Sequence, residues 1–144
     1  WIWQTGKYYF ENVNALVSVT QAWNVVVMAF IDRMDLAYSV SDIIVSRAGA
    51  GTISELCIAG KPVVLIPSPN VAEDHQTKNA MALAARDAAI VIKDNEVAGR
   101  LLPEIFSLIN DEEKRKRLSE NIKNLAMIDS DIMIAREILK LMRI

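Results

Sequence analysis

The chain is poor in the residues that most often build disulfides, metal centres and histidine-dependent active sites. Its 144 residues include one cysteine, Cys57, and one histidine, His75. A single cysteine excludes a disulfide within the chain, and a single histidine argues against a histidine-based metal cluster and against a Ser–His–Asp triad. Cys57 follows Leu56 in a helical pattern, so we expect a small buried side chain without chemistry. The sequence therefore predicts no metal and no cofactor.

The chain also lacks an excess of positive charge and lacks long apolar runs, which argues against nucleic-acid-binding and membrane-spanning proteins. Lys and Arg total 16 against 18 Asp and Glu, a formal net charge of -2, so the chain lacks the positive excess that indicates a nucleic-acid partner. No apolar run reaches the ~20 residues that a membrane-spanning helix needs. Hydrophobic residues nevertheless make up 52% of the chain, which suffices for one globular domain with a sizeable core.

Short apolar runs alternate with helical patterns over the first two thirds of the chain. Strand-like runs occupy residues 2–4, 24–31, 42–45, 62–66 and 88–92. Helical patterns occupy residues 8–19, 32–38, 52–59, 74–86, 96–110, 111–126 and 131–143. This alternation predicts parallel strands with right-handed crossovers, and the unbroken run 24–31 is typical of a strand buried on both faces. We therefore predict a single α/β domain with a Rossmann-like parallel sheet, divided into a core at 1–94 and C-terminal helices at 95–144.

The last helical pattern, at 131–143, is amphipathic. Its apolar side chains include Ile134, Ile138 and Leu141, and its basic ones include Arg136 and Lys140. A helix of this composition lies on a membrane surface or packs on protein. Packing on protein is the interpretation that we favour.

A strand, a glycine-containing turn and a helix start follow one another between residues 42 and 55. The run SRAGAGTISE, residues 46–55, comes directly after the apolar strand. Small residues let a ligand approach the backbone closely, and the free N–H groups and positive dipole end of a helix start favour an anion. Glu55 follows within reach of a sugar hydroxyl. Together these features predict a nucleotide or nucleotide-sugar site.

Several side chains around this turn admit two interpretations. Thr52-Ile53-Ser54-Glu55 also fits a capping box, in which Glu55 folds back onto the helix start. Arg47 either binds an anion or makes a surface ion pair. His75 and Gln76 stand at a predicted helix start, where Gln76 either recognises a hydroxyl through its donor and acceptor or is only a polar residue of the first turn.

The candidate residues follow the carboxyl ends of predicted parallel strands. Ligands bind at that edge of doubly wound sheets. The turn at 49–52, the junction at 30–34 and the loop at 67–75 all come directly after strand-like runs. We therefore expect them to converge on one crevice.

Three stretches together closely resemble the MurG family, the membrane-associated N-acetylglucosaminyltransferases of peptidoglycan synthesis. They are DIIVSRAGAGTISEL at 42–56, GKPVVLIPSP at 60–69 and EDHQTKNA at 73–80, and FIDRM at 30–34 resembles that family's uracil-binding stretch. The resemblance implies the C-terminal, donor-binding domain of a GT-B glycosyltransferase. It further implies an inverting transfer of N-acetylglucosamine from UDP-N-acetylglucosamine to lipid I, giving lipid II and UDP without a metal.

The resemblance also implies roles for individual residues. Glu55 would hold the ribose hydroxyls, Ile31 would pair with uracil through its backbone, and Met34, which is otherwise a core methionine, would cap the base. His75 and Gln76 would face the hydroxyls of N-acetylglucosamine, although some members carry a second Gln where His75 stands. The diphosphate would be bound by backbone N–H groups of the turn, from Ala48, Gly49, Ala50, Gly51 and Thr52.

The same resemblance implies parts that this chain does not contain. They are the acceptor domain, with the family's candidate base and its membrane-docking patch, and the first strand of the donor domain. No catalytic residue is therefore assigned, the chain alone is expected to be inactive, and lipid I is expected to bind through the absent N-terminal domain. The full-length protein is expected at the cytoplasmic face of the bacterial plasma membrane, as a peripheral protein.

The absent strand bears on the predicted sheet. In the usual strand order it lies between the strands at 2–4 and 42–45. Those two strands must then pair directly, leave open edges or find a strand from another chain. Because open edges invite association, we expect a rearranged sheet or a homo-oligomer.

Three other classes of function remain open at this point. A UDP-N-acetylglucosamine 2-epimerase or another GT-B UDP-sugar enzyme shares parts of the pattern, although epimerases usually need more histidines than His75. A non-catalytic nucleotide-sugar-binding module fits the same turn. A dinucleotide-dependent oxidoreductase fits less well, since no Gly-x-Gly-x-x-Gly follows the first strand.

Overall fold

A computed structural model describes residues 1–69 and 74–142. The chain divides into two compact units, Trp1–Val40 (unit 1) and Ser41–Ile144 (unit 2). The expectation of a single domain stays a prediction. Part of the predicted loop at 67–75 and Arg143, the predicted end of the last helix, lie outside the described residues.

Unit 1 is a parallel strand pair with two helices. Its elements are β1 (Ile2–Gln4), α1 (Lys7–Val19), β2 (Val26–Met28) and α2 (Met34–Val40). β1 and β2 pair in parallel with Trp3 opposite Val27, and α1 packs on β2. Gly6 joins β1 to α1 at φ 76°, a left-handed conformation that glycine adopts without a Cβ penalty.

The second predicted strand is shorter and more exposed than its sequence indicates. Of the run 24–31 only Val26–Met28 is strand, and the side chain of Val26 is 56% exposed. Successive strand residues point to opposite faces, so Val27 is half-buried while Val26 and Met28 share the exposed face. The prediction of burial on both faces is therefore wrong, because Val26 and Met28 are exposed on one face of β2.

Unit 2 contains a three-stranded parallel sheet and most of the helices. Its elements are β3 (Ile44–Ser46), α3 (Ala50–Ala59), β4 (Val63–Leu65), α4 (His75–Ala84), β5 (Ile90–Val91), a 3-10 turn (Asp94–Glu96), α5 (Val97–Asn110), α6 (Glu112–Lys123) and α7 (Ser130–Leu141). The strand order is β3-β4-β5, with Ile44 opposite Val63 and Val64 opposite Ile90. The predicted α/β fold with parallel strands is confirmed.

The helix boundaries in unit 2 follow local signals. Gly60 ends α3 in the left-handed region, at φ 60°, and its N–H donates to Leu56 O over 3.0 Å, which is a common helix stop. Asp111 begins α6, since its Oδ1 accepts from the N–H of Lys114 over 2.9 Å. Arg115 reaches back from α6, and its Nη1 donates to Leu108 O over 2.6 Å. These contacts close the connection between α5 and α6.

The core of unit 2 forms where α5 and α6 cover the sheet. Val64, Ile92, Leu108 and Leu118 make one buried cluster, and all four are at most 1% exposed. Cys57 is buried too, and burial raises the pKa of its thiol, as expected for a structural cysteine. Full burial of each large apolar side chain contributes about 1.5–3 kcal/mol.

The two strands expected to flank an absent strand, β1 and β3, each have one partner strand within their own unit. β1 bonds only to β2, and β3 bonds only to β4, among the described strands. Among the described strands, β1 and β3 therefore each have one edge without a partner strand. Association through these edges stays a prediction.

Helix α7 differs from the other helices of unit 2. None of its described residues is buried, and Ile134, Ile138 and Leu141 are 51–84% exposed. The favoured packing of this helix on protein is not found within the described chain. None of the described helices has both the length and the apolar character to cross a membrane.

Replacing Leu108 by Ala tests the core of unit 2. We expect the free energy of unfolding to fall by about 2–5 kcal/mol, because the change opens a cavity between α5, α6 and β4. Leu102 lies on the same helix with 55% of its side chain exposed, so Leu102→Ala should change stability by no more than about 0.5 kcal/mol. Urea denaturation followed by circular dichroism measures both variants, and equal losses would contradict this core assignment.

Candidate functional site

The candidate residues of unit 2 follow the carboxyl ends of two neighbouring strands. β3 ends at Ser46 and leads through Arg47, Ala48 and Gly49 into α3. β4 ends at Leu65 and leads through residues 66–69 toward α4. Because β3 and β4 are parallel partners, both loops leave the same edge of the sheet, where α/β proteins bind ligands.

Helix α3 begins earlier than the sequence pattern predicts. Gly49 is the residue before the helix, with φ -66° and ψ 147°, and the N–H of Ile53 donates to its carbonyl over 2.9 Å. The N–H groups of Ala50, Gly51 and Thr52 therefore belong to the first turn, where no intrahelical acceptor exists. These three amides and the positive end of the helix dipole make the start of α3 a favourable place for an anion.

The glycines of this turn leave its surface bare. Neither has positive φ. A Cβ at Gly49 would meet only the Oγ1 of Thr52, at 3.7 Å, and a Cβ at Gly51 would meet nothing within 4 Å. Backbone strain and crowding therefore do not require glycine here, and what the small residues provide is open space in front of the amides.

The position of Glu55 excludes the capping-box interpretation. A capping box needs the Glu at the third helical residue, whereas the helix begins at Ala50 and Glu55 is the sixth. The N-cap residue of α3 is Gly49, which has no side chain with which to cap the helix. Glu55 is exposed, one turn beyond the free amides, and its role toward a ribose stays a prediction.

Two side chains at the start of α4 contact the turn that precedes α3. The Oε1 of Gln76 accepts from the N–H of Ser68 over 2.9 Å and from the N–H of Ala48 over 3.3 Å. The Nδ2 of Asn79 donates to the carbonyl of Ala48 over 3.1 Å. The carbonyl oxygen of Gln76 is thus used by the backbone, and the Nε2 donor is the part of its amide left for a ligand.

Sequence reasoning missed Asn79. The sequence did contain a signal for Asn79. Gln76 was already a candidate, and residues three apart lie on the same face of a helix.

His75 is the first residue of α4 and is exposed. Its contact with a sugar stays a prediction.

Arg47 makes an ion pair rather than presenting a free cation. Its Nη1 donates to Asp94 Oδ1 over 2.5 Å and to Ile66 O over 3.2 Å. Of the two interpretations of Arg47, the structure has the ion pair, which joins the loop after β3 to the turn after β5. More than half of the Arg47 side chain is exposed, so the pair contributes little to stability.

The two uracil candidates belong to unit 1. Met34 is the first residue of α2 and is half-buried. The N–H of Ile31 donates to the Oε1 of Gln4 over 2.7 Å, so a base that pairs with this N–H has to displace the Gln4 side chain. Beside them, Arg33 lowers the pKa of Asp35 through a surface hydrogen bond.

The described residues contain no group of three or more His, Cys, Asp and Glu side chains that could hold a metal ion. The functional groups near the start of α3 are instead backbone amides, the carboxylate of Glu55 and the side-chain amides of Gln76 and Asn79. Fixed backbone donors suit an anion whose negative charge increases during a reaction.

Replacing Glu55 by Ala tests the corrected start of α3. We expect the free energy of unfolding to change by no more than about 0.5 kcal/mol, because Glu55 is an exposed residue outside the first turn. Asp111→Ala is the matched control, since Asp111 caps α6 and its loss should cost about 1 kcal/mol. Thermal unfolding distinguishes the two, and equal destabilisation would restore a capping role for Glu55.

Comparison with known proteins agrees with this geometry. The family model for the glycosyltransferase family 28 C-terminal domain matches residues 1–136. Two similar relatives carry the same description, UDP-N-acetylglucosamine–N-acetylmuramyl-(pentapeptide) pyrophosphoryl-undecaprenol N-acetylglucosamine transferase. The protein from Bacteroides thetaiotaomicron is 52% identical over 141 residues, and the one from Bacteroides fragilis is also 52% identical over 141 residues.

The similarity covers nearly all of this chain but only part of each relative. It includes 97% of the chain, against 38% of the Bacteroides thetaiotaomicron protein and 37% of the Bacteroides fragilis protein. The crystal structure of Acinetobacter baumannii MurG matches with a TM-score of 0.84 at 30% identity, covering 96% of this chain and 40% of that one. The chain thus spans less than two fifths of the length of these two relatives.

Proposed function

Since the chain belongs to the glycosyltransferase family 28 C-terminal domain family, we propose that it is the donor-binding part of a peptidoglycan glycosyltransferase. The complete enzyme transfers N-acetylglucosamine from UDP-N-acetylglucosamine to lipid I and so makes lipid II. One observation carries the proposal for this chain. The start of α3 presents three amides that have no acceptor within the helix, directly beyond the carboxyl end of β3, and such a helix start can bind a diphosphate.

In the proposed site, the turn from Ala48 to Thr52 binds the diphosphate of the donor. As the bond from the anomeric carbon to the diphosphate breaks, negative charge grows on the departing UDP. The amides of Ala50, Gly51 and Thr52 and the dipole of α3 are already oriented, so they stabilise that charge without reorganising. The turn therefore favours departure of UDP as well as its binding.

The remaining contacts are proposed from the motifs. Glu55 accepts hydrogen bonds from the two ribose hydroxyls, and His75 and Gln76 face the hydroxyls of N-acetylglucosamine. In unit 1, the backbone of Ile31 pairs with uracil and Met34 caps the base. We assign no catalytic residue and no metal to this chain, and we propose that lipid I is bound by the part of the enzyme that this chain does not span.

The proposal includes the place of the enzyme in the cell. Lipid I is anchored in the bilayer by its undecaprenyl chain, so an enzyme that uses it has to work at the membrane surface. We propose that the complete protein is peripheral at the cytoplasmic face of the bacterial plasma membrane.

A titration with nucleotides tests the proposal. We expect the chain to bind UDP and UDP-N-acetylglucosamine and not NAD, as measured by calorimetry. Glu55→Ala should raise the dissociation constant for UDP at least about tenfold, because two hydrogen bonds from ribose to a carboxylate are lost. Glu113→Ala removes the same charge from an exposed position on α6 and should leave the constant unchanged.

Two results would contradict the assignment. Absence of UDP binding at millimolar concentration would remove the donor site. Equal binding of NAD would favour a dinucleotide-binding protein.

The open edges of β1 and β3 lead to a further expectation for this chain. An unpaired strand edge exposes N–H and C=O groups that pair readily with another strand. We expect concentration-dependent self-association in sedimentation velocity experiments. A monomer at every concentration would contradict it.

A further inference from the structure

The backbone of Ala48 is held by side chains of α4 on both sides of its Cα, one at the peptide group before it and one at the peptide group after it. Its N–H donates to Gln76 Oε1 over 3.3 Å, and its carbonyl accepts from Asn79 Nδ2 over 3.1 Å. The side chain of Ala48 is completely buried. The Ala48 backbone therefore cannot rotate without breaking one of these bonds or moving a packed methyl group.

Gln76 also joins the two loops at this edge of the sheet. Its single oxygen accepts from Ala48 in the loop after β3 and from Ser68 in the loop after β4. Gln76 and Asn79 are three residues apart on α4, so one face of one helical turn makes all three contacts. Both side chains are half-buried, which limits competition from water.

Ala48 directly precedes Gly49, the N-cap residue of α3, which begins at Ala50. The orientations of the two peptide groups that flank Ala48 therefore influence where the amides of Ala50, Gly51 and Thr52 point. We propose that Gln76 and Asn79 are positioning residues, which preorganise these amides for a diphosphate. The inference rests on the proposed function for its ligand, while the contacts themselves belong to the chain alone. Preorganised donors bind more tightly because less ordering is needed on binding.

The first experiment measures amide hydrogen exchange of the free chain by NMR. Gln76→Met keeps the size of the side chain but removes the strong acceptor, and exchange of the Ala48 and Ser68 amides should accelerate at least about fivefold. Gln76→Glu keeps an oxygen acceptor at the same place and should restore the protection. The amides of Leu65 and Ile92, inside the sheet and its core, should exchange alike in all three proteins.

The second experiment measures binding of UDP, which lacks the sugar. Asn79→Ala should raise the dissociation constant for UDP about fivefold, the equivalent of one lost hydrogen bond. Asn121→Ala is the matched control, because Asn121 Nδ2 donates to Asp87 O over 2.9 Å. That bond also joins an Asn side-chain amide to a backbone carbonyl, but it lies before β5, at the amino ends of the strands. Its loss should change the dissociation constant for UDP less than twofold.

Thermal unfolding accompanies both measurements. Asn79→Ala and Asn121→Ala should lower the melting temperature by similar amounts, since each loses one bond of the same type. If only Asn79→Ala then loses affinity for UDP, lower stability of the fold does not explain the loss.

The possible outcomes separate the positioning role from the proposed function. Unchanged exchange at Ala48 and Ser68 in Gln76→Met would overturn the positioning role. An affinity loss for UDP-N-acetylglucosamine but not for UDP would also overturn it, and would make Asn79 a sugar contact. If the parent chain binds no UDP, the proposed ligand is wrong, and the exchange experiment still decides whether α4 holds the loop.

Discussion

The arrangement of unit 2 depends on the complete burial of its central strand. Val63, Val64 and Leu65 of β4 are each 0% exposed, with β3 and β5 on the two edges and α5 and α6 contributing to the core around Val64. A buried strand can satisfy its backbone only through both neighbours. Because the strands are parallel, the loops after β3 and β4 both leave from the carboxyl ends of the strands. There the side chain of Gln76 on α4 bonds to both loops.

Helix α4 has two separate tasks along its length. Ala80 and Leu83 are buried and attach the helix to the rest of unit 2, while Gln76 and Asn79, in the first turns, bond to the loops. Packing of the apolar part therefore holds the amide side chains in register with Ala48. A neighbouring helix thus bonds to Ala48, the residue before the N-cap of α3, whereas the N-cap residue Gly49 has no side chain.

Unit 2 also leaves apolar surface uncovered. In α7 the side chains of Ile134, Ile138 and Leu141 are exposed, whereas α5 and α6 bury Leu108 and Leu118 completely. Large exposed apolar faces are typical of surfaces that contact something else. The chain covers less than two fifths of the length of the two relatives from Bacteroides.

The sequence by itself determined the α/β class, the order of strands and helices, and the turn before α3, because periodicity, glycines and apolar runs act over a few residues. It did not determine the start of α3 at Ala50, and so it left Glu55 with a capping role that the structure excludes. Only the tertiary structure decided that Arg47 pairs with Asp94, that Val26 is exposed, and that Gln76 and Asn79 hold Ala48. Each of these depends on partners 28 or more residues away or on which faces of a strand are covered, and local pattern carries no information about either.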